Sequence, residues 1–241
     1  MSRTASAPTI VWFRDDLRLA DNPAMCAAVE TGRPVIPVYV LETGRTGPRP
    51  LGGASKWWLH GSLEALDASL RKLGSQLVLC EGETIPALRS IVDATGAEEV
   101  CWNRRYHPDA RVLDAGIKAS FEADGLRARS FNGSLLIEPW EVETGEGSFY
   151  RVYSPFARAA RQRLGHATPL PAPDGIACPA HWPESLPLAS LDLRPTKPDW
   201  AGELRQTWTP GEASARATLG NFVDERLGLY KTKRDFAAIE A

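Results

Sequence analysis

No apolar run in this 241-residue chain approaches the roughly 20 residues needed to span a bilayer. The longest, such as Val35 to Leu41, are a handful of residues, and Met1-Ser2-Arg3-Thr4-Ala5-Ser6-Ala7-Pro8 has no apolar core of signal-peptide length. The expectation is a cytoplasmic protein with no membrane partner. Cysteine is scarce: Cys26, Cys80, Cys101 and Cys178 are scattered with no C-x-x-C spacing, which argues against a zinc ribbon or a disulfide framework. Cys80 and Cys101 fall inside strand-like runs, where a free thiol behaves as a small hydrophobe. The four histidines, His60, His107, His166 and His181, follow no metal-ligand spacing, and no metal site is expected. No Ser-His-Asp, Cys-His or paired-carboxylate arrangement stands out, so no residue is assigned a nucleophilic or acid–base role. A formal net charge of -2 argues against a global electrostatic grip on nucleic acid. Any DNA contact has to be local, or made by parts outside this chain.

What is present is an ordinary globular composition, 43% hydrophobic and 24% charged, with strand-like and helix-like stretches alternating through the first half. Strands are read at 9–13, 35–41, 76–80, 99–102 and 128–131, and helices at 23–31, 55–73, 85–95 and 109–123. Gly32, Gly74, Gly96 and Gly125 each follow a helix, where a left-handed turn is cheapest for glycine. Asn22 before Pro23 reads as an N-cap and a first helical position. In the second helix Leu59, Leu63, Leu66, Leu70 and Leu73 make one stripe to set against a sheet, with Trp57 and Trp58 beside it as packing residues. Five strands with intervening helices predict a Rossmann-like, doubly wound parallel sheet of order 3-2-1-4-5. Its ligand crevice would open beyond the carboxyl ends of the strands, between residues 14–21 and 103–109.

The stretch Thr9-Ile10-Val11-Trp12-Phe13-Arg14-Asp15-Asp16-Leu17-Arg18-Leu19-Ala20-Asp21-Asn22-Pro23 leads from a buried run into a turn with two arginines, three aspartates and no glycine. Without glycine it cannot be the usual pyrophosphate cradle of a dinucleotide fold. After Trp140 the character changes. Residues 141–150 are polar, Tyr150 to Phe156 enters a short Ala/Arg-rich helix through about Leu164, and from Ala167 to Pro198 prolines crowd a long connector. Trp208-Thr209-Pro210-Gly211-Glu212 then precedes a helical pattern in which Leu219, Phe222, Val223, Leu227 and Tyr230 share a face. The expected organisation is an α/β domain over 8–140, a connector over 141–200, and the start of a helical domain over 201–241.

The 9–23 stretch closely resembles the opening of the photolyase/cryptochrome family, with its "WFR-DLRL-DN-A" string. Phe149-Tyr150-Arg151-Val152-Tyr153-Ser154-Pro155-Phe156 resembles the family's "Y-V-(Y/F)-(S/T)-P-F" segment. Trp208 to Ala213 resembles the entry into its helical domain, and Tyr230-Lys231-Thr232-Lys233-Arg234-Asp235-Phe236 resembles its "Y-x-x-x-R-(D/N)-x-P" step, with Ala237 in place of proline. The resemblance implies light-dependent repair of pyrimidine dimers in DNA by a flavoprotein, a carbon–carbon lyase, with FAD as electron donor and a folate or deazaflavin as antenna pigment. Photolyases act on a base turned out of the duplex. By the same resemblance Tyr230 contacts flavin, Arg234 contacts DNA phosphate, and Asp109 stands near an antenna pigment, although Asp109-Ala110 replaces the family's Asn-Glu pair. The family's flavin-phosphate loop and large helical domain have no counterpart before Ala241. The chain is therefore expected to be the N-terminal half of such a protein, truncated before most of the flavin site and not active alone. Alternatives are a stand-alone pigment- or nucleotide-binding module, a cryptochrome-like sensor fragment, or a half-protein that complements a separate helical domain.

Overall fold

A computed structural model describes residues 6–43, 51–165 and 168–236. His166, Ala167 and Ala237, singled out above, lie outside the described residues. Strands β1 (Thr9–Phe13), β2 (Val35–Glu42), β3 (Val78–Gly82), β4 (Glu99–Asn103) and β5 (Arg127–Phe131) form one parallel sheet of order β3-β2-β1-β4-β5. The predicted order holds. Helices α1 (Pro23–Glu30), α2 (Gly53–Lys72), α3 (Thr84–Thr95) and α4 (Pro108–Ala123) provide the crossovers.

Strand periodicity decides which helix each side chain meets. On β1, Val11 and Phe13 join a core with Met25 of α1 and Leu59, Leu63, Leu66 and Leu70 of α2. Ile10 and Trp12 point the other way, into a core with Leu88 and Ile91 of α3 and Ile117 and Phe121 of α4. Asn22 caps α1 by accepting a hydrogen bond from the Met25 backbone N–H at 3.1 Å. Gly96 closes α3 at φ 67° and accounts for its sharp stop. All four cysteines are free. Cys101 is fully buried, and burial together with nearby Glu99 pushes its thiol pKa up to about 12, so it acts as a core side chain.

The proline-rich connector is pinned to this domain. Leu170 O accepts from the Asp21 N–H, Ala177 O from the Val35 N–H, and Leu79 O from the Leu186 N–H, at 2.8, 2.8 and 2.9 Å. Ile176, Leu191 and Leu193 enter the core on the α1/α2 side. Asp21 takes a left-handed backbone (φ 52°), which a short polar residue tolerates, and its carboxylate also accepts from the Leu170 N–H. Residues without helical or strand periodicity thus still bury apolar surface, at Ile176, Leu191 and Leu193.

Past α5 (Tyr153–Arg163) and α6 (Gly202–Thr207), the chain returns to α2. Trp208 packs edge-on against Trp58, which in turn packs on Trp57, with centroids 6.1 and 6.2 Å apart. The sequence pattern assigns both tryptophans one packing role. Trp57 is buried in the α/β unit, whereas Trp58 is the half-exposed step that receives Trp208. The terminal pattern is not one regular helix. It divides into α7 (Glu212–Asn221), a π-helical turn over Phe222–Arg226, and α8 (Leu227–Lys233). A π turn inserts an extra residue into the helical repeat, which shifts the face that a uniform 3.6-residue spacing predicts.

Candidate functional site

The segments expected to flank an open crevice beyond β1 and β4 do meet, but they fill it. Arg14 and Asn103 directly follow and end the two central strands, and both side chains turn inward. The Asn103 amide donates to Asp16 and to Asn22 Oδ1, and its Oδ1 accepts from the Ala24 N–H at 3.1 Å. Arg14, 5% exposed, donates to Asp114 Oδ1 at 2.6 Å and to the Asn103 carbonyl, while its N–H donates to Asp16. Gly133 closes the lid: a Cβ there would lie 2.6 Å from the Asn103 side chain. The physical reason is the glycine-free turn. Its long and polar side chains occupy the volume that a glycine cradle would leave for a phosphate.

Beside this plug runs a chain of charges along the carboxyl edge of the sheet. Arg105 donates to both Glu42 carboxylate oxygens, at 3.2 and 3.3 Å, and to Asp114 at 3.2 Å. Thr84, at the start of α3, donates to Glu42 at 3.0 Å. Both guanidiniums lie over the Trp12 ring, with Cζ 4.3 Å (Arg14) and 5.8 Å (Arg105) from its centroid. Burial lowers the Arg14 pKa from its ordinary value, against the pull of Asp114. For Arg105 burial also acts downward, but Glu42 and Asp114 outweigh it and the net direction is up. A small cavity of about 90 Å³ lies at the end of β2 and β3, lined by Glu42, Thr84, Ile85 and Leu113 among others. It is large enough for a few water molecules and far short of a 300–1,000 Å³ small-molecule site.

Sequence reasoning placed Arg14 and Asn103 at this edge but missed Glu42, Thr84 and Asp114. Asp114 had a readable signal. It occupies the stripe Ala110, Asp114, Ile117 and Phe121, the buried face of α4, and a carboxylate there needs a cationic partner. Glu42 carried none, since it follows the last apolar residue of its strand as any loop residue would.

The three residues singled out by resemblance fall in two places. Asp109 stands in the first turn of α4 at the same sheet edge, with its side chain 66% exposed and His107 Nδ1 4.0 Å away. It offers an acceptor-only carboxylate, and its neighbour Ala110 is buried. Tyr230 and Arg234 come together on and just after α8, with the Arg234 Cζ 5.7 Å from the Tyr230 ring centroid. Phe222 meets Tyr230 edge-on at 5.8 Å. Tyr230 is 46% exposed on a helix that buries no residue. A flavin on this face would have one aromatic neighbour and water on its other side, so the described residues do not by themselves form a site that fits FAD. No redox step is assigned to them. Among the described residues no group of three or more His, Cys, Asp or Glu could hold a metal ion, and no helix is long and apolar enough to cross a membrane.

Glu212 ties the tail to the opening turn. Its carboxylate accepts from the Leu19 and Ala20 N–H groups at 2.7 and 3.2 Å. Pro210 and Gly211 pack directly on α2, over Gly61 and Ala65. Thus the resemblance-bearing strings at 9–23 and 208–213 are in contact through Glu212.

Comparison with known proteins agrees with this arrangement. Residues 9–174 match the family model described as DNA photolyase. The chain is 48% identical over 233 residues to a deoxyribodipyrimidine photo-lyase of Agrobacterium fabrum, covering 97% of this chain and 48% of that protein. It is 35% identical over 225 residues to cryptochrome-2 of Arabidopsis thaliana, covering 91% of this chain and 36% of the relative. The crystal structure of a bacterial class III photolyase from Agrobacterium tumefaciens superposes with a TM-score of 0.92 at 48% identity, over all of this chain and 50% of that one. The chain therefore spans half or less of the length of these relatives. With its five-stranded sheet in the order 3-2-1-4-5, its opening string and its matched residues 9–174, it belongs to the DNA photolyase family.

Proposed function

We propose that this chain is the α/β portion of a flavoprotein that repairs pyrimidine dimers in DNA with light, and that repair also needs a helical portion carrying most of the flavin site. The observation that carries this reading is the apolar surface left exposed on the tail. Leu219, Val223, Leu227 and Tyr230 are each between 46% and 61% exposed, although Glu212, Pro210 and Trp208 anchor the start of the same segment. Fully burying a large apolar side chain is worth roughly 1.5–3 kcal/mol, so four such residues provide a strong drive to be covered.

In this reading the chain's residues bind and orient. Tyr230 supplies an aromatic edge to FAD, and Arg234 supplies a guanidinium to a DNA phosphate, for which its planar fork is suited. Asp109 contributes one hydrogen-bond acceptor to an antenna pigment, a folate or a deazaflavin. The buried Arg14–Asn103–Asp114 plug serves as scaffold and holds α1 and α4 at fixed positions against β1 and β4. FAD, when bound by the joined portions, supplies the electron. A cytoplasmic location goes with this reading.

The test is complementation. The helical half of the Agrobacterium relative, added to this chain with FAD, should restore light-dependent loss of thymine dimers in irradiated DNA. Tyr230→Ala should reduce that repair about tenfold or more, while Arg234→Ala should act mainly on DNA affinity. Repair by this chain with FAD and no helical half would contradict the reading.

A further inference from the structure

Glu146 and Asp174 bracket a stretch without a single carboxylate. Residues 147–173 contain Arg151, Arg158, Arg161 and Arg163, four positive charges in a chain whose net charge is -2. The last three lie on α5, a helix that buries no residue. None of the four makes an ion pair with a described residue, whereas Arg14, Arg104, Arg105 and Arg129 in the α/β unit all do. Arg161 and Arg163 stand in the last turn, where they offset the helix dipole; Arg151 and Arg158 have no such role.

Arg158 and Arg161, three residues apart and so on one side of the helix, share an open face of α5 with Tyr153, Ser154, Ala157 and Gln162. Tyr153 is 74% exposed. Two unpaired guanidinium forks, a hydroxyl, an amide and a free aromatic face are the donor set that grips a phosphodiester chain and lets a base rest on a ring. An acidic protein surface would satisfy the arginines but leave the tyrosine without a partner of its kind.

We propose that the Arg158/Arg161 face of α5 forms a docking surface for the DNA sugar–phosphate backbone that works without a lesion and apart from Arg234. It is the local contact that the overall charge permits. It goes beyond the repair function proposed above, because it needs neither flavin nor light.

The test uses the full chain in the dark, without FAD, and an undamaged 20-base-pair duplex labelled for fluorescence anisotropy, titrated across a range of salt. Arg158→Glu with Arg161→Glu should weaken binding about tenfold or more. It should also reduce the slope of log affinity against log salt by about 2, near 0.9 for each phosphate left without its arginine. Arg158→Lys with Arg161→Lys should keep most of the affinity, with an unchanged circular dichroism spectrum in both variants. A duplex carrying thymine dimers should bind this chain as the undamaged one does. The proposal is overturned if the wild-type chain fails to bind duplex at low salt, or if the double Glu variant binds like wild type. It also fails if the added helical half covers Arg158 and Arg161 and displaces the duplex, which would make the face a protein contact. Because no step depends on repair, a failed complementation and a failed binding assay are separate results.

Discussion

Replacing Arg14 by Ala is expected to destabilise the fold by on the order of 3–5 kcal/mol, the usual penalty for removing one member of a buried ion pair. The side chains of Arg14 and Asp114 are only 4% and 11% exposed, and the same guanidinium also satisfies the Asn103 carbonyl. Its loss leaves Asp114 with Arg105 as its remaining cation and exposes the Trp12 ring to a void. Whole domains are stable by about 5–15 kcal/mol, so the variant should sit near the edge of folding. Urea unfolding followed by tryptophan fluorescence measures this as a lower midpoint at an unchanged slope. The double variant Arg14→Ala/Asp114→Ala should be less damaged than the sum of the single ones, because it no longer strands a buried charge. Strict additivity would mean that the two residues do not act as a pair. Arg14→Lys should fall between, since an ammonium keeps the charge but not the fork that reaches two acceptors.

The second large effect is expected at Gly211, and it should be confined to the tail. This residue has φ 115° and ψ 161°, a region that is open to glycine and nearly closed to other residues. An added Cβ would also lie 2.6 Å from the Ala65 Cβ on α2, an atom fixed to helical backbone. Gly211→Ala therefore costs backbone strain of about 1–3 kcal/mol in addition to the clash. The tail is held locally by Glu212, Pro210 and Trp208, so this cost should release it rather than unfold the sheet. Limited proteolysis should cut within 212–233 at least ten times faster than in the wild type, with the urea midpoint of the α/β core unchanged. Ala65→Gly in the same chain removes the clash but not the strain and should restore part of the protection. Complete restoration would show that the backbone conformation is not the constraint.

Much of this architecture was legible because it rests on periodicity. The leucine stripe of α2, the buried strand runs and the glycines after the helices fix element type and order. The strand order likewise brought Arg14 and Asn103 to one edge of the sheet. The occupation of that edge was not legible. A turn rich in Arg and Asp reads equally as a polar cleft or as its own plug, and only the inward direction of Arg14 and Asn103 decides between them. The connector was hidden for a related reason: Ile176, Leu191 and Leu193 are anchors without a repeat, and isolated apolar residues among prolines carry no periodic signal. At the tail, the expected common face of Leu219, Phe222, Val223, Leu227 and Tyr230 presumed one regular helix, and the π turn at Phe222–Arg226 alters that spacing. Tyr230 and Arg234 were found through resemblance, and the structure brings them side by side.

The most direct check is the visible absorption spectrum of the purified chain after reconstitution with excess FAD and gel filtration, run alone and again with the helical half of the Agrobacterium relative. The account predicts far less than one isoalloxazine per chain alone and one per complex when both halves are present. A stoichiometric flavin retained by the chain by itself would contradict it.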